Sequence, residues 1–161
     1  MEQTKKLNCS GISLSLDFQK AFDTLEWSYL SNVLKIYNFG DSLRTWIKVL
    51  YTKVESTVLN NDFTTNWFQQ SAGVRQGCPP SPYLFILTAE LMSNKIDFKG
   101  ISLFEKEIKV SQFADDTKLL CADLSSVEKG LQIVADFGAI SGLKLNTKKT
   151  KAMWLGKWAN N

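Results

Sequence analysis

The sequence of 161 residues contains no histidine. This absence excludes a Ser-His-Asp or Cys-His mechanism, a zinc site with histidine ligands and a histidine general base. The three cysteines, Cys9, Cys78 and Cys121, are widely spaced and form no C-x-x-C pair. The sequence therefore indicates neither a disulfide framework nor a zinc ribbon, and we expect a reducing intracellular setting. The chemistry that remains is that of carboxylates, amides and lysines.

Long apolar runs are also lacking. The longest, Tyr83 to Met92, is interrupted by Glu90 and is far shorter than the roughly 20 residues that span a bilayer. The first residues, MEQTKK, lack the apolar core of a signal peptide. Nine Gly and three Pro are too few for a disordered or collagen-like chain. We therefore expect one soluble domain over residues 1–161 that acts away from membranes.

The net charge of +3 is unevenly distributed. Five of the 19 basic residues lie in residues 144–161, which contain no acid, and the rest of the chain carries 14 basic and 16 acidic residues. Such a basic segment can contact phosphates. A solvated edge strand whose lysines discourage aggregation explains it equally well. Charge alone therefore does not identify a partner.

The first half of the chain has clear periodic patterns. Residues Ile12 to Phe18 alternate, with Ser13, Ser15 and Asp17 on the polar face of a predicted strand. Helical spacing predicts a helix from about Asp23 to a stop at Gly40. A second helix is predicted to begin at a capping Asp41 and to turn an apolar stripe toward the core. That stripe consists of Leu43, Trp46, Ile47 and Leu50.

Turn and capping residues define the rest. A β-hairpin is predicted around Asn60-Asn61-Asp62 and a second around Phe104-Glu105-Lys106. A buried helix is expected between them, with Ser81 as N-cap, Pro82 at its first position and its end near Ile96. Further predicted elements are a strand over Thr117 to Ala122, a helix from the Ser125/Glu128 capping box to Gly142, and a lysine-rich strand region over Leu143 to Leu155. This order indicates an α+β fold, an antiparallel sheet with helices packed on one face.

Three carboxylates stand at strand ends. Asp17 ends the first strand, and Asp115 and Asp116 form the turn between two later strands. If these strands are neighbours, the carboxylates converge, and they would repel one another unless a cation lay between them. Mg²⁺ prefers such oxygen ligands, and two ions about 4 Å apart support phosphoryl transfer. Taken singly, Asp115-Asp116 fits an ordinary turn and Asp17 a strand-end hydrogen bond.

Four segments carry a family resemblance. They read LSLDFQKAFD from Leu14, GVRQGCPPSP from Gly73, FADD from Phe113 and SGLKLNTKKT from Ser141. In this order they resemble the palm of a reverse transcriptase, most like the non-LTR, LINE-type retrotransposon enzymes, from about Ser10 to Trp154. The resemblance implies a palm-type (RRM/ferredoxin-like) sheet and RNA-directed DNA polymerase activity.

The same resemblance implies a reaction and its partners. A primer 3′-hydroxyl would attack the α-phosphate of a dNTP on an RNA template. Asp17 and Asp115 would hold two Mg²⁺ ions, with Mn²⁺ as an alternative, and Asp116 would lie next to the DNA primer end. Lys149 resembles the lysine that protonates departing pyrophosphate. Lys148 and Lys151 are alternative candidates for that role, and a merely solvated lysine run is the alternative explanation of all three.

Further binding residues are implied in the same way. The nucleotide-binding residues would be Phe18, Gln19, Lys20, Ala21, Phe22 and Gln76. Phe22 stands where the family carries an aromatic that excludes a ribose 2′-hydroxyl, although an isolated Phe is more often a core residue. The template and primer contacts would be Arg75, Gly77, Phe113 and Ala114. An ordinary turn before a helix is the alternative explanation of the Gly73 to Gly77 loop.

The sequence also departs from the family pattern. Pro80 replaces the usual Leu, and only three residues join Ile96 to Gly100. Sixteen residues precede Asp17 and twelve follow Lys149, so we expect fingers and thumb to be missing. Phosphoryl transfer depends on positioning and charge stabilisation. We therefore expect weak or undetectable polymerase activity, which fingers and thumb segments would be needed to restore.

Two other functions remain open. One is a noncatalytic RNA-binding or scaffolding module derived from a retroelement, but Ser13, Ser15 and Asp17 stand where an RRM-like sheet would stack bases on aromatics. The other is a nucleotide cyclase, but no Gly-Gly-Asp/Glu-Glu-Phe segment occurs. The retroelement resemblance implies location in the nucleus.

Overall fold

The structure is a computed structural model that describes residues 10–160, and Cys9 and the MEQTKK segment lie outside the described residues. The strands are β1 Gly11–Leu16, β2 Phe18–Gln19, β3 Glu55–Ser56, β4 Leu59–Asn60, β5 Phe63–Thr64, β6 Phe68–Gln69, β7 Ile101–Leu103, β8 Lys106–Ile108, β9 Val110–Phe113, β10 Asp116–Cys121, β11 Lys144–Leu145 and β12 Lys151–Leu155. The helices are α1 Ala21–Thr24, α2 Trp27–Ile36, α3 Asp41–Leu50, α4 Ser81–Ser93 and α5 Leu124–Ser141, followed by a 3₁₀ helix, Gly156–Asn160.

The central sheet has four antiparallel strands in the order β12-β1-β10-β9. Leu14 of β1 pairs with Leu119 on one side and Ala152 on the other. Alternation along β1 buries its leucines on one face and leaves Ser15 exposed on the other. The predicted first strand is therefore confirmed. It ends at Leu16, and Phe18 belongs to β2, which pairs with β11.

Helices α2, α4 and α5 form the layer that covers one face of this sheet. The α5 backbone approaches β10 closely, because a Cβ added at Gly130 would lie 3.0 Å from Leu119 Cδ1 and 3.2 Å from Phe98 Cε1. The side chains that are almost completely buried in this layer include Leu25, Leu30, Val33, Phe85 and Met92. The predicted α+β fold, an antiparallel palm-type sheet with helices on one face, is confirmed.

Both predicted hairpins are present. Asn61 and Asp62 connect β4 to β5 with φ of 48° and 65°, and Phe104 and Glu105 connect β7 to β8 with φ of 49° and 63°. Two central residues with positive φ define the type I′ turn, whose twist matches that of the strands. The arms of the first hairpin form two separate ladders, β3 with β6 and β4 with β5.

Several helix ends differ from the sequence predictions. The helix predicted from Asp23 is two helices, α1 and α2, because Leu25 and Glu26 are extended. Asp41 lies inside the first turn of α3, where its carboxylate contacts the Arg44 guanidinium at 2.6 Å, and Gly40 is the N-cap. An acid there still interacts favourably with the helix N-terminus.

The other helices show similar differences. Pro80 is the N-cap of α4, which places Ser81 inside the helix, and α4 ends at Ser93 instead of Ile96. Asp123 caps α5, because its Oδ1 accepts a 2.7 Å hydrogen bond from the Ser126 N–H. The predicted Ser125 cap is therefore wrong. Gly142, with φ of 80°, ends α5 as predicted.

The apolar stripe of α3 is exposed instead of core-facing. Ile47 is buried, but Leu43 is 45% exposed, Trp46 67% and Leu50 50%. The reason is that α3 packs mainly on α2 and lies at the edge of the helix layer. Helix α4 is likewise less enclosed than predicted, since Tyr83 and Ile86 are exposed. Within residues 10–160, no helix combines the length and apolar character needed to cross a membrane.

Candidate active site

The antiparallel register places the two acidic segments side by side. Leu16 pairs with Thr117, so Asp17 and Asp116 occupy facing positions one residue beyond that pair. Asp115 precedes them in the turn between β9 and β10, where Ala114 has a φ of 52°. Strand alternation puts Asp116 on the exposed face of the sheet, opposite the helices, and Asp17 is half-buried just beyond the end of β1. The adjacency of strands that the sequence argument required is therefore present.

A groove of about 890 Å³ lies beside these acids. Asp17 and Asp115 line it together with Phe22, Gln76 and Lys149. These side chains come from all four segments that carried the family resemblance. Gln19, Lys20 and the residues of α1 also line the groove.

The segment after β11 is hydrogen-bonded to the backbone of Asp17. The Asp17 carbonyl accepts a 2.7 Å bond from the Asn146 N–H, and the Asp17 N–H donates to Thr150 Oγ1 at 3.4 Å. The Thr150 hydroxyl in turn donates to the Asn146 carbonyl at 2.9 Å. These bonds turn the chain so that Lys149 lines the groove. Lys148 is not among the lining residues, and Lys151 begins β12.

The loop that begins at Gly73 is fixed to the chain around α1. Val74 donates to the Phe22 carbonyl at 2.6 Å, and Gly73 donates to the Leu25 carbonyl at 2.8 Å. Gly73 has a φ of 93°, and a Cβ there would lie 2.8 Å from the Asp23 carbonyl oxygen. Only glycine fits both requirements. This contact brings Gln76 next to Phe22.

The same chain segment also contacts the end of α5. The Glu26 N–H donates to the Ser141 carbonyl at 2.8 Å. Gly142 is so close that a Cβ there would lie 2.5 Å from the Thr24 carbonyl oxygen. Residues 24–26 therefore contact both the Gly73 loop and the end of α5.

Phe22 packs against the core and also lines the groove. Its ring stacks on Phe85 at 4.7 Å with an interplanar angle of 13°, yet it also lines the groove. Phe18 and Ala21, by contrast, are buried, and the Phe18 ring packs edge-on against Phe137. These two residues offer the groove little beyond their backbone. The exposed side chains of this segment are Gln19 and Lys20.

The residues predicted to contact template and primer lie outside this first groove. Arg75 lines a neighbouring groove of about 750 Å³, which shares Phe22 and Gln76 with the first. Gly77 has a φ of 82°, and a Cβ added there would meet no atom within 4 Å. Phe113, which faces Asp116 across the strand pair, is 83% exposed, and Ala114 follows it in the turn.

The donor chemistry at the acids fits a hard divalent cation. Asp17 and Asp115 both line the groove, and their side chains carry the carboxylate oxygens that Mg²⁺ prefers. The salt bridges among residues 10–158 are Arg44 to Asp41 and Lys109 to Glu107, so a cationic side chain does not occupy either site acid. In the same range, no group of three or more Asp, Glu, Cys or His side chains could hold a metal. The described residues thus show no preformed cluster of three carboxylates, and the metal ligands stay a prediction.

The sequence analysis missed some groove residues. These are Asp23, Thr24, Glu26, Ala72, Gly142, Lys144 and Asn146. Asn146 lies inside the SGLKLNTKKT segment, so the family resemblance could have indicated that it lies at the site. Its hydrogen bond to Asp17 depends on the pairing of β11 with β2, which the sequence does not specify.

The shifted pKa values belong mainly to the packed interior. Burial, with a smaller contribution from nearby Tyr37, raises the pKa of Tyr29 to about 12. Burial and the Asp123 carboxylate raise the pKa of the Cys121 thiol to about 11. Hydrogen bonds from Ser126 lower the pKa of Asp123. None of these three groups lines the groove.

Comparisons with known proteins show the family of the chain. The family model described as "Reverse transcriptase (RNA-dependent DNA polymerase)" matches residues 1–158. The chain is 33% identical to the transposon TX1 149 kDa protein of Xenopus laevis over 89% of this chain and 11% of that protein. It is 31% identical to a Pol polyprotein of the retrotransposable element R2 from Popillia japonica, over 92% of this chain and 21% of that protein.

Solved structures support the fold. A telomerase from Candida tropicalis, in complex with a fragment of telomeric RNA, superposes with a TM-score of 0.70 at 12% identity, over 95% of this chain and 28% of that chain. A telomerase from Candida albicans gives a TM-score of 0.62 at 14% identity, over 88% of this chain and 26% of that chain. The chain thus spans a small part of the proteins it matches. The family match over residues 1–158 and the retrotransposon relatives show that the chain belongs to the reverse transcriptase family, with relatives among the non-LTR retrotransposon proteins.

Proposed function

We propose that residues 1–161 form a single palm domain of an RNA-directed DNA polymerase, which transfers nucleotides from dNTPs to a primer 3′-hydroxyl. One observation carries this proposal. The groove joins Asp17, Asp115, Gln76 and Lys149, which come from four separate segments of the sequence. Acids alone at a strand turn are common, but acids, an amide and a lysine around one groove suit a triphosphate.

Asp17 and Asp115 would hold two Mg²⁺ ions, and Asp116 would lie beside the primer end. Bound there, the ions supply activation of the hydroxyl and neutralise charge at the reacting phosphate. With two carboxylates in reach, the remaining ligands would be water and the substrate's own phosphates, as is usual for Mg²⁺. The role of the chain is to fix the acids, and the bonds from Asn146 and Thr150 to the Asp17 backbone provide that support.

The other groove residues have separate roles in the proposal. Lys149 neutralises phosphate charge and delivers a proton to the departing pyrophosphate. Its position in the groove favours it over Lys148 and Lys151. Gln76 offers both a donor and an acceptor to the nucleotide. The Phe22 ring, fixed by its stacking on Phe85, presents a rigid wall that would exclude a ribose 2′-hydroxyl.

The first test measures Mn²⁺ binding by electron paramagnetic resonance. We expect the full chain to bind Mn²⁺ and both Asp17→Asn and Asp115→Asn to lose most of that binding. Asp97→Asn is the matched control, because Asp97 is exposed and does not line the groove. Equal binding by wild type and Asp115→Asn would contradict the assignment of the ligands.

The second test is primer extension on an RNA template with Mg²⁺ or Mn²⁺. We expect weak or undetectable extension by the chain alone and measurable extension once fingers and thumb segments are supplied, because those segments are predicted to hold nucleotide and duplex. Asp115→Asn should abolish it, and Asp97→Asn should not. If the chain instead binds RNA without metal, with affinity unchanged by Asp115→Asn and with no extension, then the noncatalytic module is the better description.

A further inference from the structure

Trp27, the first residue of α2, is bonded to the loop that begins at Gly73. Its indole N–H donates to the Gly73 carbonyl at 2.7 Å. Trp27 is not among the residues that line either groove, whereas Gln76 lines both. Trp27 therefore does not face a ligand in the grooves, and any effect that it has on such a ligand must pass through Gly73.

The peptide group between Gly73 and Val74 is held at both of its polar ends. The Val74 N–H donates to the Phe22 carbonyl at 2.6 Å, and the Gly73 carbonyl accepts from the Trp27 indole. Gly73, with a φ of 93°, is free to adopt other conformations, so these bonds fix its direction. Only the bond from Trp27 depends on a side chain.

The fixed part of the chain ends just before the residues that face the grooves. The Val74 side chain is buried, and residues 75–77 are exposed. A change in the direction of the peptide group at Gly73 is therefore passed on to Gln76 within two residues. No buried side chain lies between them to absorb it except that of Val74.

Packing alone does not require the bond. The Trp27 ring packs beside the Tyr51 ring, with centroids 5.6 Å apart and an interplanar angle of 40°, and it borders the core. A phenylalanine would also supply a ring for that contact. The indole N–H is a donor in addition, and its partner is a backbone carbonyl of the loop. One substitution can therefore separate the bond from the packing.

The same aromatic pair lies beside the far end of the loop. Burial raises the pKa of Tyr51, and the nearby groups that act on that pKa belong to the loop and the start of α4, namely Ser81, Cys78 and Arg75. The Ser81 N–H donates to the Cys78 carbonyl at 3.1 Å, which leads the chain into α4. The loop thus begins at one ring of the pair and ends near the other.

We infer that Trp27 is a positioning residue, whose hydrogen bond to the Gly73 carbonyl sets the direction in which the loop presents Gln76 to the groove. The identity of the ligand, a dNTP, rests on the proposed function, but the attachment of the loop does not. The site acids belong to other segments of the chain. Loss of the bond should therefore weaken nucleotide binding and leave metal binding unchanged.

The first test is made on the wild-type chain by nuclear magnetic resonance, which follows the exchange of indole N–H groups with solvent. A hydrogen bond slows such exchange. We expect the Trp27 indole to exchange clearly more slowly than that of Trp46, which is 67% exposed. Equal exchange would show that the bond is not formed and would overturn the inference.

The second test is backbone amide exchange in Trp27→Phe, measured by mass spectrometry. We expect residues 73–78 to exchange severalfold faster than in the wild type, and β1 and β10 to be unchanged. Trp46→Phe is the matched control, because it removes the same donor at an exposed position of α3 that lines neither groove. If residues 73–78 exchange alike in the two variants, the inference is wrong.

The third test compares two affinities in the same protein. Binding of a fluorescent dATP analogue with Mn²⁺ is measured by anisotropy, and binding of Mn²⁺ alone by electron paramagnetic resonance. We expect Trp27→Phe to weaken nucleotide binding by about two- to tenfold, the effect of one hydrogen bond, and to keep the Mn²⁺ affinity. A general loss of structure would lower both affinities, and that outcome, or an unchanged nucleotide affinity, would contradict the inference.

A double substitution shows whether Trp27 acts through Gln76. In Gln76→Ala, Trp27→Phe should weaken nucleotide binding little further, because the group that it positions is absent. In Lys149→Gln, which changes a groove residue from another segment, the full effect of Trp27→Phe should remain. Equal effects in both backgrounds would overturn the assignment.

These outcomes separate the inference from the proposed function. If Trp27→Phe loosens residues 73–78 but the wild type binds no dNTP, the proposed function fails alone. If the wild type binds dNTP and extension depends on Asp115, but Trp27→Phe binds dNTP as the wild type does, the inference fails alone.

Discussion

The backbone carbonyl of Asp17 accepts a 2.7 Å hydrogen bond from the N–H of Asn146. The two residues lie at opposite ends of the sequence, and the bond fixes the candidate ligand against the segment that carries Lys149. A second connection runs through Thr150, whose hydroxyl contacts the Asp17 N–H and the Asn146 carbonyl. Residues 146–150 therefore hold the backbone of Asp17 in place.

Thr150→Val should weaken this support. Valine keeps the shape of threonine but removes the hydroxyl, so the half-buried Asp17 N–H loses its partner. We expect a loss of about 1 kcal/mol in the free energy of unfolding, measured by urea denaturation, together with weaker Mn²⁺ binding. Thr147→Val, at an exposed neighbouring position, is the control and should change neither quantity. If Thr150→Val changes neither quantity, the 3.4 Å bond to the Asp17 N–H does not contribute to stability or to Mn²⁺ binding.

Gly73→Ala and Gly77→Ala form a matched pair. Both glycines have positive φ, 93° and 82°, but only at Gly73 would the added Cβ meet another atom, the Asp23 carbonyl. The left-handed backbone alone costs about 1 to 2 kcal/mol for alanine. We expect that cost for Gly77→Ala and a clearly larger one for Gly73→Ala in the same denaturation experiment. Equal losses would mean that the loop can move away from Asp23.

Thr117→Val should stabilise the chain. The Thr117 hydroxyl is buried, and within the described structure it has no hydrogen-bond partner. Removing such a group relieves a desolvation cost, with a gain of about 1 kcal/mol. Thr88 is equally buried, but its hydroxyl donates to the Phe85 carbonyl at 2.6 Å. Thr88→Val should therefore lose about 1 kcal/mol, and a loss of the same size in Thr117→Val would contradict the argument.

Alkaline pH should destabilise the fold. Burial raises the pKa of Cys121 from 9.0 to about 11 and that of Tyr29 from 10.0 to about 12. The folded state therefore holds these protons at pH values where the unfolded state releases them, and stability falls as pH rises above 9. The melting temperature, measured between pH 8 and 11, would show the fall. This range begins below the ordinary pKa of both groups and ends near the raised pKa of Cys121. Cys121→Val should reduce the slope, and an unchanged slope would contradict the thiol's part in it.

Local patterns predicted local structure well. The alternation in β1 and the turn residues Asn61 and Asp62 act over a few residues, so the sequence specifies them directly. Capping residues were predicted less well. Asp123 and Ser125 are both good N-caps, and the choice between them depends on where the chain leaves β10, which is a tertiary property.

Burial and the site itself depend on distant parts of the chain. The α3 periodicity is helical as predicted, but Trp46 is exposed because no described element covers that side of the helix. The adjacency of Asp17 and Asp116 follows from the pairing of β1 with β10. The sequence could suggest that pairing only through the family resemblance, because local composition does not determine the register between strands that are far apart in the sequence.

The extended residues between α1 and α2 limit where the chain can change length. Leu25 bonds to Gly73 on one side, and Glu26 bonds to Ser141 on the other. One inserted residue would shift both contacts at once and displace the Gly73 loop and the end of α5. An insertion at the Phe104-Glu105 turn would lengthen only a surface loop. Length variation among homologous palms should therefore concentrate at such hairpin tips and spare residues 24–26.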